Sequence, residues 1–182
     1  MALCEVAVKK MPNIVPIVTE KEISNKVADL ARRISEDYSG RQVVLVGVLK
    51  GAFVFMADLM RRLSIPCKVD FIRVASYGSS TVSSGNVRLL MDVSLDVADR
   101  DVILVEDIVD SGLTLKFLKE HMLAKKPRSV SLCAMIDKPE RRRVDLAIDY
   151  VCVQVPEGFL VGYGLDCNEE HRELPGICEI KP

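Results

Sequence analysis

The stretch Val102-Ile103-Leu104-Val105-Glu106-Asp107-Ile108-Val109-Asp110-Ser111-Gly112-Leu113-Thr114 runs from an apolar strand into two adjacent acids, then a third acid and a turn that opens a helix. At the C-terminal edge of a parallel sheet small molecules bind in the crevice, so the acids stand where a ligand goes. The turn at residues 111–114 leads into a helix N-terminus, where free backbone N–H groups and the helix dipole can hold a dianionic phosphate. Gly112 lets the backbone come close, and the hydroxyls of Ser111 and Thr114 add donors. Glu106 and Asp107 repel a phosphate unless a sugar or a cation lies between, and ribose hydroxyls or a magnesium ion would meet that need. The implied ligand is a ribose phosphate. The plainer alternative is that these acids merely end a strand at solvent.

Outward from this segment the pattern alternates. Thr19-Glu20-Lys21-Glu22 reads as a capping box, and Ile23, Val27, Leu30, Ala31 and Ile34 then recur at helical spacing up to Ser39-Gly40. Residues 43–48 form a nearly all-apolar run of the kind expected for a strand covered on both faces, followed by a helix over 52–63. Residues 69–74, 102–105, 130–136 and 150–155 are further strands, with a helix over 114–123. Such alternation predicts an α/β fold, a mainly parallel sheet flanked by helices. Residues 76–84 are small, polar and unpatterned and read as a mobile loop. Residues 1–18 and the Gly-, Pro- and acid-rich tail 156–182 are expected to form a small lobe of one 182-residue domain.

Composition excludes several function classes. The chain has 25 basic and 26 acidic side chains, so its overall field offers no general attraction to nucleic acid or membrane, and anions must be bound locally. The basic runs Lys125-Lys126-Pro127-Arg128 and Arg141-Arg142-Arg143 lack interleaved aromatics and read as solvated faces or subunit contacts. Six cysteines (Cys4, Cys67, Cys133, Cys152, Cys167, Cys178) show neither zinc-site pairs nor a disulfide framework and are expected as free thiols. His121 and His171 have no second histidine at ligand spacing, which argues against zinc. No apolar run reaches the roughly 18 residues of a membrane span, and no signal core or targeting tail is evident, which predicts a cytoplasmic protein.

The run Val105 to Thr114 resembles the phosphoribosyl pyrophosphate (PRPP) motif of type I phosphoribosyltransferases, specifically their hypoxanthine-guanine branch. The likeness extends through Leu49-Lys50-Gly51, Ser76-Tyr77, Asp137-Lys138, the run Phe159 to Asp166, and Arg172. It implies a Mg2+-dependent enzyme of purine salvage that acts on PRPP and a 6-oxopurine and assembles as a homodimer or homotetramer. Position by position, it implies that Glu106 and Asp107 hold the ribose hydroxyls and lie at one magnesium ion, and that Asp166 ligates a second. Ser111, Gly112, Leu113 and Thr114 would cradle the 5-phosphate. Leu113 stands where many relatives carry a polar or basic side chain, which removes one possible phosphate contact.

Asp110 would be the general base that removes a ring-nitrogen proton from the purine, although an Asp there could instead cap the helix at Thr114. Lys138 would donate to the 6-oxo group. An ammonium has donors and no acceptor, so adenine should be rejected, by a factor on the order of 10⁴; position alone also allows an ordinary solvated lysine. The resemblance makes Phe159 the ring that stacks on the purine and Leu160 the backbone that reads its edge, with Asp166 nearby, whereas a core role is the alternative for Phe159. Lys50, Gly51 and Arg172 would contact pyrophosphate. Ser76 and Tyr77 would begin a lid that excludes water. Two alternatives keep the fold: a phosphoribosyltransferase preferring xanthine or another base, or a nucleotide-sensing, RNA-binding regulator, for which a coherent basic face is the expected signature.

Overall fold

The computed structural model describes residues 13–76 and 87–181. Cys4, Tyr77 and the remainder of the expected loop lie outside the described residues. The first half runs β1 (Asn13–Val18), α1 (Glu20–Asp37), β2 (Val43–Leu49), α2 (Phe53–Met60), β3 (Cys67–Ser76) and β4 (Val87–Met91). Then follow β5 (Asp101–Val109), α3 (Leu113–Ala124), β6 (Ser129–Asp137), a 3-10 helix (Pro139–Arg141), β7 (Tyr150–Gln154), β8 (Phe159–Val161) and β9 (Ile177–Lys181).

Six strands form one sheet in the order β4-β3-β2-β5-β6-β7, parallel except for β4, which lies antiparallel to β3. The period-two geometry of a strand explains why β2 and β5 are apolar throughout. Val43, Leu45, Ile103 and Val105 pack with Ile23, Val27, Phe55 and Leu59 of α1 and α2. Their neighbours Val44, Val46, Val102 and Leu104 pack with Leu115, Leu118 and Met122 of α3 on the other face. Helices therefore cover both sides of an α/β sheet, and the C-terminal ends of β2, β5 and β6 open onto one edge.

The Thr19 cap forms as its sequence demands. Thr19 N donates to Glu22 Oε2 at 2.8 Å and Glu22 N donates to Thr19 Oγ1 at 3.3 Å, so two otherwise orphaned N–H groups are satisfied. The apolar stripe from Ile23 to Ile34 is buried.

Several elements differ from expectation, and Ser76, expected in the loop, belongs to β3. β5 continues to Val109, because β6 pairs with it as far as Val109 and Asp137; Glu106 and Asp107 thus lie on the strand rather than beyond it. α2 stops at Met60 instead of residue 63, where Arg62 N turns back to Leu59 O at 3.0 Å and Pro66 soon requires an extended chain. β4 has no periodic pattern that announces it; it exists because β3 has an open edge, and it leaves Leu90 and Met91 exposed.

The second sheet, β1-β9-β8, is antiparallel and joins residues before α1 to the tail. Cys67, Cys133, Cys152, Cys167 and Cys178 are free thiols. No helix among the described residues is long and apolar enough to cross a membrane.

Candidate active site

The strand that carries the acids ends at a left-handed turn. Gly112 has φ +79 and serves as N-cap of α3 without a side-chain cap, a backbone that a Cβ would strain and drive against Arg142. Asp110 therefore does not cap the helix. Ser111 Oγ accepts from Leu113 N at 3.4 Å, and Leu113 contributes the first helical N–H. A cavity of about 90 Å³ is lined by Glu106, Asp110, Ser111, Gly112 and Thr114, and the helix N-terminus and hydroxyls on its rim are donors of the kind that hold an anion.

Glu106 is 7% exposed. Burial, and then the adjacent Asp107 charge, hold its carboxyl well above the usual range. Burial also raises Asp107, against hydrogen bonds to its carboxylate, including one from Ile108 N at 2.8 Å, and the charge of Arg172. A buried carboxyl beside a half-buried one calls for a cation or hydroxyl donors if both are to ionise. Among the described residues no cluster of three His, Cys, Asp or Glu could hold a metal alone, so a hard cation here needs further oxygen ligands from substrate or water.

A second cavity, about 300 Å³, is lined by Lys50, Gly51, Glu106, Asp107, Asp166 and Arg172. The Leu49–Lys50 peptide is cis. Gly51 is required by proximity, since a Cβ at that position would collide with the Asp107 carboxylate. Arg172 Nη1 donates to Gly164 O at 2.7 Å, and Nη2 lies 2.7 Å from Asp166 Oδ1 and 3.2 Å from Glu169 Oε2. Its Nε is buried without a hydrogen-bond partner among the described residues. Lys50 Nζ donates to Glu169 Oε2 at 2.8 Å, and Asp166 Oδ2 accepts from Glu169 N at 2.9 Å.

Lys138 is only 3% exposed, not a solvated lysine. Its backbone N donates to Val109 O at 2.9 Å, which ties the end of β6 to the end of β5, and its Nζ donates to Gly158 O at 2.6 Å. Burial pulls its pKa down while the Asp110 charge pushes it back up. The next residue but one after Gly158 is the buried Leu160, and Phe159 between them is 56% exposed on β8, unlike a core ring.

The structure thus brings Lys50, Gly51, Glu106, Asp107, Asp166 and Arg172 around one cavity, joined through Glu106 and Thr114 to the phosphate turn. Lys138, Phe159 and Leu160 form a neighbouring group linked by the Lys138–Asp110 and Lys138–Gly158 interactions. Ser76 ends β3, whose Val74 reaches the larger of the two cavities. A roomier space of about 600 Å³ is lined by Phe53, Asp58 and Tyr163 and touches Arg172 but no residue of β5; volume alone does not locate the chemistry.

Two sets of residues depart from the sequence reading. The run Arg141-Arg142-Arg143, expected as a solvated face or subunit contact, packs behind the turn instead, with the Arg142 side chain only 14% exposed. Glu169 was not singled out. Arg141 Nε lies 2.7 Å from Asp110 Oδ1, a contact of charge without hydrogen-bond alignment. Arg142 pairs with the buried Asp137, and Arg143 N donates to Ser111 O at 3.0 Å. The basic run therefore backs the phosphate turn, and the available signal was Pro139 directly after Lys138, which starts a 3-10 helix that folds the run back. Glu169 was the omission, since an acid in an acid-rich tail carries no local signal.

A family pattern described as a phosphoribosyl transferase domain matches residues 17–168. The chain is 42% identical over 166 residues to a hypoxanthine phosphoribosyltransferase of Salmonella typhimurium, covering 90% of this chain and 93% of that one. It is 43% identical to a hypoxanthine-guanine phosphoribosyltransferase of Bacillus subtilis, covering 91% and 92%. Among solved structures, a hypoxanthine-guanine phosphoribosyltransferase from Bacillus anthracis superposes with a TM-score of 0.88 at 46% identity, covering 91% of this chain and 98% of that one.

Proposed function

The chain belongs to the phosphoribosyl transferase domain family, and from that premise we propose that it transfers the 5-phosphoribosyl group of PRPP to hypoxanthine or guanine, yielding IMP or GMP and pyrophosphate. The observation that carries the base assignment is the buried Lys138 ammonium beside Asp110, Gly158 and the exposed Phe159. An ammonium in that setting serves a 6-oxo group and leaves a 6-amino group facing a like donor. The names of the similar enzymes point the same way.

Each group then has a task. Ser111, Gly112, Leu113 and Thr114 hold the 5-phosphate through N–H and hydroxyl donors, and Glu106 and Asp107 accept from the ribose hydroxyls. Lys138 and the Leu160 backbone orient the base, and Phe159 stacks on it. As the purine ring nitrogen bonds to ribose C1, the C1–oxygen bond to pyrophosphate breaks and Asp110 takes the ring-nitrogen proton. Lys50, the Gly51 backbone and Arg172 receive the departing pyrophosphate. Ser76 ends β3, and the lid expected from Tyr77 onward lies outside the described residues.

Glu106 and Asp107 on one side and Asp166 on the other offer hard oxygen donors that suit Mg2+, each for a separate ion, with most of each shell left to substrate and water. Each ion would neutralise the phosphates it binds. We read residues 1–182 as one domain with the three-stranded sheet as a hood, working in the cytoplasm as a homodimer or homotetramer, as the family resemblance implies.

The test is direct. Protein mixed with PRPP, Mg2+ and labelled hypoxanthine or guanine should give nucleotide and pyrophosphate in equal amounts, and chelation of the metal should stop it. Absence of nucleotide from both bases contradicts the reading.

A further inference from the structure

Two cations assigned to pyrophosphate are already paired with an acid of the chain itself. Lys50 follows β2 and Arg172 belongs to the tail, yet both bind one oxygen: Glu169 Oε2 accepts from Lys50 Nζ at 2.8 Å and from Arg172 Nη2 at 3.2 Å. Both cations line the cavity that also contains Glu106 and Asp107, while the Glu169 side chain is 64% exposed. A carboxylate that bridges two cations at the edge of an anion site resembles the ligand those cations would bind.

We propose that Glu169 is an internal stand-in for pyrophosphate, so that pyrophosphate binds by displacing its carboxylate from Lys50 and Arg172, and Glu169 sets how tightly the product is held. This rests on the phosphoribosyl-transfer reading of the site.

The geometry divides the Arg172 guanidinium into fixed and exchangeable parts. Nη1 is committed to Gly164 O and fixes the plane of the group. Nε is buried with no hydrogen-bond partner among the described residues, a donor left over for an incoming oxygen. Nη2, which also lies 2.7 Å from Asp166 Oδ1, and the Lys50 ammonium hold Glu169 through an exposed carboxylate, so these contacts are weak. A pyrophosphate presents several anionic oxygens to the same donors and so outcompetes a single carboxylate.

The charge sum has the same sense. Lys50 and Arg172 are paired with Asp166 and Glu169, and release of Glu169 removes one negative charge from these two cations, which suits a polyanion. After transfer, return of Glu169 to the two cations helps expel the product. The backbone supports a short, defined swing rather than a large motion, because Glu169 N stays hydrogen-bonded to Asp166 Oδ2 at 2.9 Å.

The experiment measures binding of inorganic pyrophosphate, with Mg2+, to wild type, Glu169→Gln and Glu170→Gln by calorimetry, and pyrophosphate product inhibition in the forward reaction. Glu170 is the exposed neighbour, and its variant removes the same formal charge outside the site. Glu169→Gln should bind pyrophosphate about three- to tenfold tighter and be inhibited by it at correspondingly lower concentration, whereas Glu170→Gln should match wild type. IMP, which lacks pyrophosphate, should bind all three alike.

Equal or weaker pyrophosphate binding by a folded Glu169→Gln, or an equal gain in both variants, overturns the stand-in role while leaving phosphoribosyl transfer intact. Failure of wild type both to bind pyrophosphate and to use PRPP overturns both. Should Glu169→Gln melt well below wild type, Glu169→Ala measured the same way carries the same two outcomes.

Discussion

At the scale of single residues the site is a set of charges held at close range by backbone contacts. Asp110 lies 2.7 Å from Arg141 Nε, and its charge is felt at Lys138, where it raises a pKa that burial lowers. Asp110→Asn preserves shape and removes basicity. It should lower kcat by about 10²–10⁴ while PRPP binding, measured by calorimetry, stays within a few-fold of wild type. Lys138→Met removes the ammonium proposed to donate to the base. It should reduce kcat/KM for hypoxanthine by about ten- to a hundredfold and narrow the gap to adenine, as competition kinetics would show.

Residue roles were legible only where a motif carried them. Lys138 and Phe159 came from likeness to a family, and their burial and exposure then followed from the fold. Arg141 and Glu169 were illegible because their importance arises from contacts with Asp110, Lys50 and Arg172 that no local spacing encodes.

At the scale of elements, the site depends on how β5 hands over to α3. Gly112 holds a left-handed φ that lets the helix N-terminus face the pocket. Gly112→Ala should displace the turn and lower kcat/KM for PRPP by about 10- to 100-fold. Far from the site, Thr19→Ala should cost about 1 kcal/mol by removing the capping box, lowering Tm by about 2–4 °C without affecting turnover.

Elements were well marked in the sequence where burial on both faces or a strong cap dictated the pattern, as in β2, β5 and α1. They were poorly marked where pairing alone creates the strand. β4 exists because the edge of β3 accepts it, and β8 and β9 because they close against each other. The extension of β5 past Val105 was hidden for the same reason, since acids break an apolar run but not a ladder with β6.

At the scale of the whole molecule, acid ties between layers predict a pH dependence of stability. Burial works against ionisation of Asp58, Asp70 and Asp92, but hydrogen bonds outweigh it and hold all three carboxyls below their usual value. Asp58 receives a hydrogen bond from Tyr163 Oη at 2.8 Å. Asp70 receives Leu95 N at 2.7 Å, and Asp92 receives Lys125 Nζ at 2.7 Å. Because the folded pKa values are depressed, this stability is complete above the ordinary carboxylate value of about 3.9 and disappears as pH falls through the lowered values. Urea unfolding midpoints should therefore stay level with respect to these groups above about pH 5 and fall below pH 4; Asp92→Asn should flatten part of that fall.

The whole sheet exists to bring the ends of β2, β5 and β6 to one edge, where a ribose phosphate and a 6-oxopurine can meet. The most direct test is a panel of hypoxanthine, guanine, xanthine, adenine and uracil, each offered with PRPP and Mg2+, scored by nucleotide formed. Hypoxanthine or guanine should be converted, and adenine should be slower by a factor on the order of 10⁴. Turnover of none of the 6-oxopurines, or a preference for adenine, would contradict the account.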